Sequence, residues 1–216
     1  EMYERSINDP EGFWGEVAED FHWFKKCDKV RDYNFDTREG KIFIEWFKNA
    51  KTNITKKALD RHLETRGDQV ALIWEGNDPD TDRKITYKEL HEQVCKFANV
   101  LKAHGVKKCD RVSLYMQMIP ELAVAMLACA RIGAIHSIVF GAFSPDALAG
   151  RIADSNCTVV VTQDTGLRGA KNNVPMKTNA DSAAEKAAVD ADKPTKVETI
   201  IVVKRTGMDV PMQDGR

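Results

Sequence analysis

Between Arg111 and Val203 the chain alternates short apolar, β-branched runs with helical segments of about ten residues or more, and nothing else in the sequence constrains the fold so tightly. Arg111 to Met116, Ala134 to Phe140, Thr158 to Thr162 and Thr199 to Val203 read as strands. Pro120 to Ile132 and Ser144 to Ser155 read as helices, and a polar Ala/Lys/Asp stretch precedes the last strand. Strands and helices in that order predict an α/β fold: a doubly wound, mostly parallel sheet with flanking helices. Ligands of such sheets bind beyond the carboxyl ends of the strands, so the turns that follow the strands become the candidate sites.

Two of those turns are unusual. Phe140-Gly141-Ala142-Phe143-Ser144-Pro145 pairs a glycine, able to take a positive φ or admit a close ligand, with a serine cap and a proline fit for the first helical position. The second runs Gln163-Asp164-Thr165-Gly166-Leu167-Arg168-Gly169-Ala170-Lys171, with two glycines and two cations. Arg168 and Lys171 could hold a phosphate through charge-assisted hydrogen bonds, the glycines freeing the backbone to approach. On spacing alone a solvated basic loop is the preferred reading of this stretch over a phosphate site.

Upstream, Thr86-Tyr87-Lys88-Glu89 forms a capping box, and Tyr87, Leu90, Val94, Phe97, Ala98 and Leu101 mark the buried face of a helix ending at Gly105. Val70 to Trp74 reads as a strand, and Thr55 to Arg66 as a helix capped by Gly67. Residues 1–52 are dense in Trp and Phe and form an expected N-terminal arm packing on a main domain of residues 53–216. Within the arm, Phe13, Trp14 and Val17 suit a helix, as does the spacing of Ile42, Phe43, Trp46 and Phe47. The acids of Asp78-Pro79-Asp80-Thr81-Asp82 imitate a calcium loop, but Arg83 stands where its turn needs glycine and the segment before it reads as a strand. His136, inside an apolar strand, reads as a core histidine.

A net charge of -1 with dispersed Lys and Arg offers no footprint for nucleic acid or anionic membrane. No apolar run approaches the about 18 residues of a spanning helix. Five cysteines without a CxxC pair, three of them (Cys95, Cys129, Cys157) among apolar neighbours, predict a reducing compartment: cytoplasm, or alternatively the mitochondrial matrix. No HExxH, GxSxG, GxGxxG or GxxxxGK[ST] occurs, so the chain holds no self-sufficient catalytic constellation. It opens at Glu1 without Met and stops at Arg216 in a polar stretch, and both ends read as cuts.

Pro10-Glu11-Gly12-Phe13-Trp14, Ile73-Trp74-Glu75-Gly76, Ile85 to Leu90 and above all Met118 to Ser155 closely resemble the acetyl-CoA synthetases, acetate–CoA ligases of the adenylate-forming, AMP-binding superfamily. The resemblance runs end to end and covers only the N-terminal part of such an enzyme. It implies a two-step reaction: acetate attacks the α-phosphate of Mg·ATP to give acetyl-AMP and pyrophosphate, then the CoA thiol displaces AMP. It further implies CoA-binding residues at Phe140, Gly141 and Ala142, which border the CoA channel, and at Arg168, Gly169, Ala170 and Lys171 near the 3′-phosphate, reversing the preference for a merely solvated loop.

The chain also departs from that family. Ala142 stands where a second glycine is usual, Cys109 replaces a turn glycine, Gln117 replaces a proline, and Lys171 often has Arg in its place, trading a planar fork for a point charge. The ATP loop ending in Pro-Lys-Gly, the acetate-pocket Trp, the ribose-binding Asp and the catalytic Lys of the family are expected beyond Arg216. No catalytic residue and no metal ligand is therefore expected in this chain. The resemblance implies ATP, CoA and Mg for the complete enzyme with only CoA contacts expected within these residues, and as partners the small molecules acetate, ATP and CoA and the remainder of its own chain. A non-catalytic α/β binding or regulatory module, or a ligase for a longer acid such as propionate, are the alternative readings.

Overall fold

The computed structural model describes residues 1–213, except the side chains of Lys171 and Asn172. They fall into two compact units, Glu1–Arg61 and His62–Arg216.

The first unit holds α1 (Met2–Asn8), α2 (Pro10–Glu19), β1 (Lys29–Asn34), β2 (Phe43–Lys48) and α3 (Ile54–Ala58). α2 begins where the Asp9 side chain accepts from the Gly12 N–H and Pro10 takes the first turn, and it buries Phe13. The Phe43–Lys48 segment corrects the expected helix: it is a strand paired antiparallel with β1, Arg31 opposite Trp46 and Asp32 opposite Glu45. Its aromatic and β-branched residues favour an extended chain once a partner strand is present, and residue spacing cannot reveal that partner. Asp32 accepts from Lys48 at 2.7 Å and Lys29 at 2.9 Å, and these bonds hold its carboxyl down at about 2. The Arg31 guanidinium lies 4.6 Å from the Tyr33 ring centroid.

The second unit runs α4 (Leu63–Arg66), β3 (Val70–Glu75), β4 (Asp82–Thr86), α5 (Tyr87–Ala103), β5 (Arg111–Met116), α6 (Pro120–Ile132), β6 (Ile135–Phe140), α7 (Pro145–Ser155), β7 (Val159–Gln163), β8 (Gly166–Arg168), β9 (Lys171–Val174), α8 (Met176–Ala188) and β10 (Thr199–Val203). The helix expected over 55–66 is thus broken: α3 ends at Ala58, a 3₁₀ turn follows, and α4 begins in the second unit. The apolar period continues through the break and cannot reveal it. Gly67 is not a left-handed cap either, since its φ is -54°. The acids around Asp80 lie between and along the antiparallel β3–β4 pair, so a strand precedes them.

The four main strands form one parallel sheet in the order β10-β7-β5-β6. The chain steps from β5 to β6, then returns across β5 to β7 and onward to β10, so the winding reverses at β5, as in a doubly wound sheet. α7 and α8 cover one face, where Tyr115, Val139 and Val160 meet Leu148, Ile152, Met176, Ala180, Ala183, Ala184 and Ala187. Val112, Leu114, Val159 and Val161 alternate to the other face, on the side where α6 packs on β5 and β6 and α5 packs on α6. The capping box that opens α5 is complete: Glu89 N–H donates to Thr86 Oγ1 at 3.2 Å, and Thr86 N–H donates back to Glu89 Oε2 at 2.8 Å.

α8 is absent from the sequence expectation, which left the polar stretch before β10 unassigned. Cys129 and Cys157 are buried as expected, Cys95 is half-buried, and burial pushes the Cys129 thiol up to about 12. His136 is half-buried on edge strand β6. Among the described residues no helix is long and apolar enough to cross a membrane.

Candidate functional site

The carboxyl ends of the sheet strands open onto one cavity of about 730 Å³. After β5 come Gln117, Met118 and Ile119; after β6, Gly141, Ala142 and Phe143; after β7, Leu167, Arg168 and Ala170; after β10, Arg205. Trp74, Glu75, Gly76 and Asn77 close it from the end of the β3–β4 hairpin. The two turns singled out in the sequence therefore meet in the same space. Phe140, Gly141, Ala142, Arg168 and Ala170 all line it, while the Lys171 side chain lies outside the described residues.

The β6–α7 turn is fixed from beneath. Tyr115, fully buried on β5, donates its hydroxyl to the Phe143 carbonyl at 2.9 Å, and Asn179 of α8 donates to that hydroxyl at 3.3 Å. Burial raises the Tyr115 phenol, so it stays a donor. Gly141 does not use a positive φ. It is needed for contact: a Cβ there would lie 3.1 Å from the Met116 carbonyl oxygen and 3.2 Å from Met176 Cε, so the turn rests directly on the end of β5. Ser144 then caps α7, accepting from the Ala147 N–H at 3.3 Å, with Pro145 in the first turn. Phe140 and Phe143 meet edge-on, 5.9 Å between centroids, and the Arg151 guanidinium stacks 4.6 Å from Phe143.

The cationic stretch is a hairpin, not an open loop. β8 and β9 pair antiparallel with Arg168 opposite Lys171, and Gly169 takes φ +55° at the first of two turn positions, where a tight hairpin turn demands glycine. Arg168 is exposed at its tip. Gln117 donates through Nε2 to the Leu167 carbonyl and accepts the Leu167 N–H at Oε1, both at 3.0 Å. Asn77 does the same for Gly169, donating at 3.0 Å and accepting at 2.8 Å. Gly166 leaves the room this requires, because a Cβ there would sit 2.5 Å from Gln117 Oε1.

Asp164, buried at the end of β7, joins the hairpin to the segment after β10. Burial alone would raise its carboxyl, but backbone N–H groups of Thr165, Thr206, Gly207 and Arg205 donate to it and bring it below its ordinary value. Arg205 is thereby placed with its guanidinium 4.7 Å from the Trp74 ring, whose Nε1–H donates to the Met118 carbonyl at 2.7 Å. Sequence reasoning missed Asn77, Trp74, Gln163 and Arg205, and noted Gln117 only as an unusual residue. The sole local hint was the glycine beside Asn77.

Chemically, the cavity sets the cations Arg168 and Arg205 and the anion Glu75 beside an aromatic wall of Trp74, Phe140 and Phe143, with the small residues Gly141 and Ala142 between the two phenylalanines. Among the described residues no group of three or more His, Cys, Asp or Glu is placed to hold a metal ion.

Residues 59–214 match the AMP-binding enzyme family, and residues 1–58 match the family described as acetyl-coenzyme A synthetase N-terminus. The whole chain aligns with acetyl-coenzyme A synthetases of Alkalilimnicola ehrlichii (57% identical) and Desulfatibacillum aliphaticivorans (55% identical), covering 32% of each. A solved acetoacetyl-CoA synthetase from Streptomyces lividans superposes over 98% of this chain and 30% of its own, with a TM-score of 0.83 and 26% identity. The chain thus spans about a third of the length of the curated relatives it matches.

Proposed function

Because the chain belongs to the AMP-binding enzyme family, we propose that it supplies the N-terminal part of an ATP-dependent acetate–CoA ligase and, within it, one wall of the CoA site. The observation that carries this reading is the cavity itself, in which the turn after β6 and the cationic hairpin after β7 face each other. Its fit to CoA rests on charge and shape. Arg168 lies exposed at the rim, while Phe140, Gly141 and Ala142 border a path that a narrow pantetheine stem could follow. Relatives 53–57% identical over essentially the whole chain carry the name acetyl-coenzyme A synthetase, which supports acetate over a longer acid.

In this reading ATP and Mg are handled by the rest of the ligase. Acetate attacks the ATP α-phosphate there, giving acetyl-AMP and pyrophosphate. The chain's own residues act in the second half-reaction. Arg168, with Lys171 opposite it across the hairpin, holds a terminal CoA phosphate through charge-assisted bonds. The Phe140–Ala142 turn then aims the stem so that the CoA sulfur attacks the acyl carbon, the bond from that carbon to the AMP oxygen breaks with its electrons leaving on AMP, and the thiol proton passes to water. The Ala142 methyl narrows that path where the family usually has glycine.

In the complete ligase, Arg168→Ala is expected to raise the KM for CoA about 10- to 100-fold, the equivalent of losing one charge-assisted phosphate bond. Acetate-dependent ATP–pyrophosphate exchange should stay within about twofold, because adenylation does not use this hairpin. Equal loss in both assays would sink the assignment.

A further inference from the structure

A two-stranded hairpin on its own is marginally ordered, so a cation at its tip is a poor anchor unless something holds the hairpin still. Here two carboxamides from distant parts of the chain do so. Gln117, beyond β5, brackets the Leu167 backbone, and Asn77, beyond β3, brackets that of Gly169, each donating to the carbonyl and accepting from the N–H of the same residue. Each amide imitates the edge of a neighbouring strand, and the residue between the two bracketed ones is Arg168. Gln117 is held in turn, its own N–H donating to Gln163 Oε1 at 2.9 Å. Both contacts are made by side chains, outside the hairpin ladder and the parallel sheet. Asn77 is exposed, and both side chains line the cavity.

We propose that Gln117 and Asn77 are positioning residues that fix Arg168 at the cavity rim for the 3′-phosphate of CoA, and so set the preference for CoA over 3′-dephospho-CoA. The proposal rests on the CoA reading above and adds to it the two residues on which discrimination depends. Sequence position 166 supports it independently. The atoms nearest a methyl group at Gly166 all belong to the end of the Gln117 side chain, so it would displace the clamp.

The test measures kcat/KM for CoA and for 3′-dephospho-CoA in the full-length protein carrying this chain, with ATP–pyrophosphate exchange as the control for folding. Gln117→Ala, Asn77→Ala and Gly166→Ala should each lower the preference for CoA several-fold, and the Gln117→Ala/Asn77→Ala double variant by about tenfold, with exchange unchanged. In an Arg168→Ala background the same changes should have no further effect on the preference, because they act through Arg168. Amide hydrogen exchange should quicken at Leu167 in Gln117→Ala and at Gly169 in Asn77→Ala, and stay unchanged in β5 and β7. If Arg168→Ala abolishes the preference but the amide variants keep it, the positioning role is wrong. If Arg168→Ala itself leaves the preference untouched, the CoA reading of the hairpin falls instead.

Discussion

Cys109 sits in the turn before β5 at φ +71°, a left-handed conformation that a side chain with Cβ adopts at a cost of about 1–2 kcal/mol. Its N–H donates to the Gly133 carbonyl at 2.9 Å, so the turn cannot relax without releasing the end of α6. Glycine relieves the strain but loses more freedom on folding, about 0.5–1 kcal/mol. Cys109→Gly is therefore expected to stabilise the protein by about 0.5–1 kcal/mol, read as a higher urea midpoint with the same slope. Asp164 makes the opposite case, a residue whose charge the fold uses. Its carboxyl lies below its ordinary value in the folded state. The stability it brings is complete above the unfolded value, near pH 4, and is lost as pH falls through the folded one. Asp164→Asn should remove about 1–3 kcal/mol at pH 7, since an amide nitrogen would face backbone donors, and should flatten the fall in stability below about pH 4. Chemical denaturation between about pH 2 and 7 checks both.

At the scale of elements, α8 packs on α7 through Ala180, Ala183, Ala184 and Ala187, all buried. Alanines let two helices approach closely, and a close-packed interior has little room for a larger side chain. Ala183→Leu should destabilise the protein by about 1–3 kcal/mol through overpacking, whereas Ala170→Leu at the exposed hairpin tip should change stability by less than about 0.5 kcal/mol. Parallel thermal melts of the two variants separate these outcomes. The same alanines explain why α8 escaped sequence reasoning. Methyl groups at helical spacing give little contrast against the lysines and aspartates around them, so a buried face read as a polar stretch. β5, β6, β7 and β10 were legible to within a residue or so, because strands in a parallel sheet are apolar on both faces. β2 was not, because the residues that make it a strand lie across the hairpin in β1.

For the molecule as a whole, the winding of the sheet was readable from the alternation of elements, and the two site turns from their glycines. The Phe140–Ala142 turn stood out locally by its glycine and the proline that follows, whereas the Arg168 stretch read on spacing as a solvated loop and only the family resemblance turned it towards CoA. Asn77 and Gln117 could not: they meet the hairpin from 92 and 50 residues away, and a carboxamide gains its meaning only when the fold brings it to a backbone. Their neutrality carries a further consequence. If the CoA reading holds, the charges at the rim, Arg168 and Arg205 against Glu75, give binding a dependence on ionic strength that the two uncharged amides do not share. Between about 0.05 and 0.5 M salt, CoA affinity should fall while amide exchange at Leu167 and Gly169 stays constant, a pairing that titration and exchange experiments at matched salt would check. Neither carboxamide titrates, so on the proposed reading the clamp on the hairpin keeps its geometry across the physiological pH range, and acidity would alter the charge on the ligand without altering where the protein meets it.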